Sequence, residues 1–440
     1  MLRTSFIVVL CLFALTSFVS IAVANIFLGI SLLLFLTIIY KDSGVYINSN
    51  RRTYFKVFGI FAAALFVSAV FSGNVLLGLK TWGDFFVWRF MPFIMIMSVI
   101  KSDKVVKKLM YAVICGFAFS CIYAIYQGVF IYGVNIASSR ADGLVGHSMT
   151  LAGWACILLP VLLLFIFQKE VSKYIRLGCA CLFVIGFIAL IFNATRGAWL
   201  SLAIVLPMLT LPYILQNKKL FIAFVSLVMA AGVILFNSSS FMKRVDSIFD
   251  SNNWSNTSRF VIWSTAHDIF LEHPIWGVGL GSFKQEYKSR FVISETTEQE
   301  AAEYCEYIKN KKQNELTATQ NKLSELQLIK LADSNREKWQ KEHLRKLDHA
   351  HNNFMQMLAE NGFIGLLGYV FAFGYVLWSN FTKYRKNRNP YALMIVGATS
   401  ALLFQGFTEY NFGNSSVMKI YWFVLACLII LANNYGCKEK

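Results

Sequence analysis

Residues 22–40 read AVANIFLGISLLLFLTIIY, with no charge until Lys41. A helix of about 20 apolar residues satisfies its backbone hydrogen bonds internally and spans the hydrocarbon of a bilayer. Eleven further stretches repeat this pattern, near 4–20, 54–73, 83–100, 109–132, 147–167, 175–193, 197–215, 219–236, 353–378, 391–410 and 417–433. The first follows Arg3, as a signal peptide would. Its apolar run is longer than the roughly 7–15 residues of such a core and a second span follows at once, so a retained helix is expected. The sequence therefore predicts an all-α polytopic membrane protein with about 12 transmembrane helices.

Composition agrees. Of the 440 residues 57% are hydrophobic and 15% charged, against about 45–50% and about 25% in a soluble domain. The net charge of +17 would suggest nucleic acid in a soluble protein, but its placement gives another explanation. Lys41, Arg51, Arg52 and Lys56 follow the second span, and Lys101, Lys104, Lys107 and Lys108 the fourth. Lys169, Lys173 and Arg176 follow the sixth, Lys218 and Lys219 the eighth, Lys383, Arg385, Lys386 and Arg388 the tenth, and Lys438 and Lys440 the last. All fall on one side, which the positive-inside rule makes cytoplasmic, with both termini there. No nucleic acid partner is expected; membrane lipids are.

Three regions follow: spans one to nine in 1–236, a periplasmic loop in 237–350, and spans ten to twelve in 351–440. The loop holds 16 basic and 16 acidic residues, and Ser282 to Asn361 contains neither Gly nor Pro. Helix-forming runs such as Lys322-Leu-Ser-Glu-Leu predict two or more amphipathic helices capping the membrane domain. Cys305 is the one cysteine in the loop, and no Cys/His spacing suits zinc. Nor is there a DxD pair to hold a divalent ion, so metal-independent chemistry without a cofactor is expected.

Ionisable residues near a membrane interior are costly and therefore informative. Arg89, Arg140, Arg196 and Glu409 come from four external span ends, and Asp348-His-Ala-His-Asn-Asn closes the large loop where span ten begins. A neutral histidine such as His351 suits a general base, against the alternative of a helix anchor. Arg196 in Asn193-Ala-Thr-Arg-Gly-Ala-Trp and Arg259 in Thr257-Ser-Arg-Phe, at the start of the loop's first helix, suit a phosphate, against snorkelling or a solvated charge. Gly277-Val-Gly-Leu-Gly-Ser reads as a tight turn, and His267 and His343 as solvated positions on loop helices.

Together these segments resemble the O-antigen ligase family and its O-antigen polymerase relatives. His351-Asn352, nine residues, then Gly362, two residues and Gly365 match the family's His-Asn, nine-residue, Gly-x-x-Gly signature. Thr195-Arg196-Gly197 resembles its membrane arginine motif. Arg259 through Trp263, His273-Pro274 and Gly277 through Phe283 resemble the start of its periplasmic loop. Gly146-His-Ser-Met-Thr-Leu-Ala resembles its span-six motif, with Ser148-Met149 where Pro-Asn is common. The motifs occupy roughly 145–205, 257–285 and 348–370.

The resemblance implies an inverting glycosyltransferase related to the C-type architecture, acting at the periplasmic face of a bacterial inner membrane. Its donor would be a glycan on undecaprenyl pyrophosphate and its acceptor lipid A-core. His351 would be the base, and Arg196 and Arg259 would hold the pyrophosphate. Arg140, Arg89, His349, Asn352, Glu409 and His147 rank behind them, Glu409 as a residue that orients an arginine or the histidine. The nearest alternative is a polysaccharide polymerase using the same donor type. A twelve-span transporter is the alternative from another class, although transport sites usually lie near the bilayer midplane.

Overall fold

The computed structural model describes residues 2–41, 49–136, 139–168, 170–214, 237–250, 254–290 and 347–435. Among them every regular element is helical. The membrane helices are α1 (Leu2–Thr16), α2 (Ile21–Lys41), α3 (Ser49–Val70), α4 (Val75–Gly83), α5 (Met91–Val99), α6 (Asp103–Tyr126), α7 (Ser148–Phe167), α8 (Lys173–Asn193) and α9 (Arg196–Ile214). Three loop helices follow, α10 (Ser239–Phe249), α11 (Trp254–Glu272) and α12 (Phe283–Ser289). The last three, α13 (Asn353–Asn387), α14 (Pro390–Gln405) and α15 (Ser415–Asn434), return to the bundle.

Among the described residues eight helical stretches are long and apolar enough to span a membrane, and α1, α9 and α14 are shorter apolar helices. The protein is thus a helical, polytopic membrane protein. The expected span at 219–236 and the loop helices expected over 291–346, with His343, Cys305 and Lys322, lie outside the described residues.

Helix α15 is buried on nearly every side, as is α7. A helix that is apolar all round finds this position in the centre of a bundle. Around α15 gather Phe58, Phe90, Phe93 and Phe373, their rings in contact with Trp422. Helix α13 lies along α3, where a β-carbon on Gly368 would stand 3.0 Å from Ala64 Cβ, so a small residue is needed for this approach.

Three expectations need correction. The fourth span begins at Val75 rather than 83, because Val75-Leu76-Leu77 continues the apolar run and Asn74 caps it by accepting the Leu77 N–H at 3.1 Å. It is interrupted by a π-helical turn over Asp84–Arg89. The eleventh span ends at Gln405, not 410, leaving 406–414 as a connecting turn. The tenth span, expected over 353–378, is not one uninterrupted helix: Gly362 has φ 60° and breaks α13 there.

A second, smaller core formed by Ile262, Ala266 and Ile269 of α11, Phe283 and Tyr287 of α12, Ala350 and Ala359 fixes the loop helices to the start of α13. Each large apolar side chain so buried contributes about 1.5–3 kcal/mol. This core places the polar end of α11 next to the segment that carries His351.

Candidate active site

The chain enters α13 through Leu347–Asn352 without helical structure. His351 has φ 47°, a left-handed conformation that side chains other than Asn, Asp and His rarely adopt. Its neighbours hold that shape. Ala350 donates its N–H to Gln356 Oε1 at 2.7 Å and accepts from Trp263 Nε1 at 2.8 Å. Asn352 caps α13, accepting from Phe354 and Met355 N–H at 2.8 and 3.1 Å, and its amide donates to Phe407 O at 2.9 Å.

Asn353 continues the stitching. Its N–H donates to Gly406 O at 2.7 Å, its amide to Asn411 Oδ1 at 2.7 Å, and its Oδ1 accepts from Phe412 N–H at 3.1 Å. The 406–412 turn is thereby fastened to the start of α13. This fastening carries Glu409 to His351, with Glu409 Oε1 3.4 Å from His351 Nδ1. The carboxyl is buried while the imidazole keeps about a quarter of its surface exposed. The His349 ring lies beside it, tilted by 59° with ring centroids 4.2 Å apart, and its Nδ1 accepts the His351 N–H at 3.3 Å.

Electrostatics sort these groups. Burial and the adjacent His351 push His349 down to about 4, so its ring is neutral at physiological pH. Burial works against the Glu409 carboxylate, but His351, His349 and Arg259 outweigh it and hold the group below its ordinary value. One ligand atom each from His349, His351 and Glu409 lie within 4.8 Å of one another. Among the described residues this is the set whose chemistry would suit a metal ion.

Next to this triad stands a cluster of four arginines. The α8–α9 turn passes through Ala194 at φ 54°, which sets Arg196 at the start of α9. Arg196 donates to Ser247 O, to Ser247 Oγ at 3.3 Å and to Ser255 Oγ at 3.0 Å. Arg244 of α10 donates back to Ala194 O through Nε at 3.1 Å and Nη2 at 2.9 Å. Burial lowers Arg244 to about 10, with the positive charges of Arg140, Arg196 and Arg259 acting in the same direction. Burial also lowers Arg259, opposed by Glu409 and reinforced by Arg140. Arg140 is exposed and Arg259 half-buried, and neither has a hydrogen-bond or ion-pair partner among the described residues. Four like charges held together, with Glu409 opposing them only at Arg259, suit an anion.

A cavity of about 400 Å³ adjoins His349 and Glu409, its wall including Phe85, Arg89, His147 and Tyr410. Arg89 is tied down here. It pairs with Asp84 and donates to Phe412 O and Gly413 O at 3.2 and 2.6 Å, so it holds the Glu409 turn instead of joining the arginine cluster. His147 caps α7, its Nδ1 accepting the Thr150 N–H at 3.3 Å.

Residues 181–321 match the family model described as O-antigen ligase. The match covers about a third of the chain and supports the O-antigen ligase family for this stretch. It contains Arg196, Arg244 and Arg259 and the Gly277–Gly281 loop, and members of the family are glycosyltransferase-like enzymes of O-antigen and polysaccharide assembly. The match supports an O-antigen ligase or polymerase type of function. No curated protein matches the chain.

Of the expected residues, His351, His349, Asn352 and Glu409 meet in one place, and Arg196, Arg259 and Arg140 in the adjoining cluster. Arg259 lies in the second loop helix, since α10 precedes it. Two residues escaped the sequence reading, Arg244 and Gln356. Arg244 lies on amphipathic α10, where it looks like one more solvated loop charge. Gln356 lies in a segment read for His351, Asn352 and its glycines, where Glu360 stands out only as an ionisable residue. Gln356 holds Ala350, and buried Glu360 accepts the Phe283 N–H at 3.2 Å.

Proposed function

We propose that the protein transfers a glycan from undecaprenyl pyrophosphate to a hydroxyl of lipid A-core, with inversion and without a metal. The reaction would take place at the periplasmic face of a bacterial inner membrane, with both chain termini cytoplasmic. The observation that carries this reading is a partly exposed imidazole backed at 3.4 Å by a buried carboxylate, and that carboxylate, Glu409, both feels the charge of Arg259 and lines a cavity.

In this reading Nδ1 of His351 faces Glu409, which leaves Nε2 to accept a proton. The acceptor O–H gives that proton to Nε2 as its oxygen attacks the anomeric carbon. The bond from that carbon to the pyrophosphate oxygen breaks, and undecaprenyl pyrophosphate leaves with the electron pair. Arg140 and Arg259 face the growing charge with uncommitted guanidinium groups, and Arg196 and Arg244 add theirs. Attack from the face opposite the leaving group inverts the anomeric centre.

The test is His351→Ala in purified protein supplied with lipid-linked donor. Transfer is expected to vanish while membrane insertion is unchanged; near-normal transfer overturns the reading. Lipopolysaccharide from a deletion strain then separates acceptors. Bare core marks a ligase, and core capped with one repeat marks a polymerase.

A further inference from the structure

The cavity of about 400 Å³ beside His349 and Glu409 has no role in holding the pyrophosphate. None of Arg140, Arg196, Arg244 and Arg259 lines it. Its size falls at the lower end of small-molecule sites, roughly 300–1,000 Å³.

Its charged wall groups are already matched. Arg89 is bound to Asp84 and to two carbonyls, Lys284 stands 2.9 Å from Asp348, and Glu360 accepts a backbone N–H. An incoming anion therefore meets no free cation. What stays uncommitted among the described residues is a different set: the Tyr410 hydroxyl, the Nε2 atoms of His147 and His349, and Glu409 Oε2, which is buried without a hydrogen-bond partner. Phe85 and Tyr410 add ring surfaces to the same wall. Neutral donors and acceptors, one carboxylate oxygen and apolar ring faces complement a polyhydroxylated ring with a C–H face.

We propose that this cavity binds the acceptor glycan as a neutral sugar residue, with its attacking hydroxyl turned toward His351. The proposal rests on the glycosyl-transfer reading above and adds the chemistry of the second substrate. Tyr410 and the Nε2 atoms of His147 and His349 hold hydroxyl groups of the sugar, and the aromatic wall packs on its C–H face. Donor and acceptor then approach the triad from separate sides, the charged substrate over the arginines and the neutral ring through the cavity. A core sugar of lipid A-core and the terminal sugar of a second lipid-linked glycan share this chemistry.

The experiment uses the full chain in nanodiscs with purified lipid-linked donor and, in separate arms, lipid A-core or a second lipid-linked glycan as acceptor. Tyr410→Phe removes one hydroxyl and is expected to raise the acceptor KM about tenfold while donor KM is unchanged. Met149→Trp fills the cavity and is expected to cut transfer roughly 100-fold while undecaprenyl pyrophosphate still binds. An acceptor KM that stays put in Tyr410→Phe, or a donor KM that rises instead, overturns the proposal, and Tyr410→Phe decides alone if Met149→Trp does not fold. The arm in which transfer occurs identifies the source of the sugar. Failure here leaves the His351→Ala result untouched, so the two readings fail separately.

Discussion

Gly362 and Gly277 approach so closely that a β-carbon on Gly362 would stand 2.8 Å from the backbone nitrogen of Gly277. Both have positive φ, 60° and 68°. Their contact latches the loop to the break in α13: Val278 N–H donates to Ala359 O at 3.0 Å, Gly279 N–H to Glu360 O at 2.8 Å, and Phe363 N–H to Pro274 O at 2.8 Å. Any side chain at Gly362 is both strained and obstructed. Gly362→Ala should destabilise the protein by about 1–3 kcal/mol and lose transfer, read as a lower melting temperature in detergent and by transfer assay. Wild-type stability would show that the latch is dispensable.

Glu409 faces His351 from a buried position, and on the proposed reaction it would stabilise the imidazolium formed during transfer. Glu409→Gln should lower kcat by about 100-fold with both KM values near wild type. Steady-state kinetics with purified donor check this, and an unchanged kcat would remove Glu409 from the mechanism.

The arginines divide by what they already hold. Arg140→Lys and Arg259→Lys should raise donor KM about tenfold or more, since a point charge does not reproduce a bidentate fork. Arg196→Lys and Arg244→Lys should also lower the melting temperature, because these two fasten α10 to the α8–α9 turn. Donor titrations and thermal unfolding, run side by side, distinguish the pairs.

His349 stays neutral in the folded protein down to about pH 4, whereas an unfolded chain protonates it near its ordinary value of about 6.5. Below that value the unfolded state binds a proton the folded state refuses. Stability is therefore intact above about pH 6.5 and falls as pH drops toward 4, by about 2 kcal/mol at pH 5 from this group. His349→Gln should flatten that part of the stability profile, measured by unfolding between pH 7 and pH 5.

His349, His351 and Glu409 have the chemistry of metal ligands, yet the proposed reaction gives His351 and Glu409 other tasks. Chelator treatment should leave transfer unchanged. Loss of activity restored by a divalent ion would make the three residues a metal centre.

Much of the architecture is legible in hydropathy, because lipid forbids unsatisfied backbone and so imposes length and apolarity on each span. The π-helical turn at Asp84–Arg89 is not, since a one-residue widening leaves composition unchanged. The meeting of His351 with Glu409 was visible only as two charges at span ends. What joins them is Asn352 and Asn353, whose N–H groups bond to backbone 53 or more residues away. Gly277-Val-Gly-Leu-Gly was correctly a turn, but its purpose lay in α13, a partner no local pattern names. Arg244 was missed because an arginine on an amphipathic helix looks the same whether it meets water or a carbonyl.

The arginine cluster has a consequence for turnover. On the proposed reaction, the departing undecaprenyl pyrophosphate carries one more negative charge than the glycan-bearing donor. Four guanidinium groups that attract the donor hold the spent carrier more firmly still. Such an enzyme is subject to product inhibition, and its steady rate is governed by whatever reaction strips or hydrolyses the spent lipid after release.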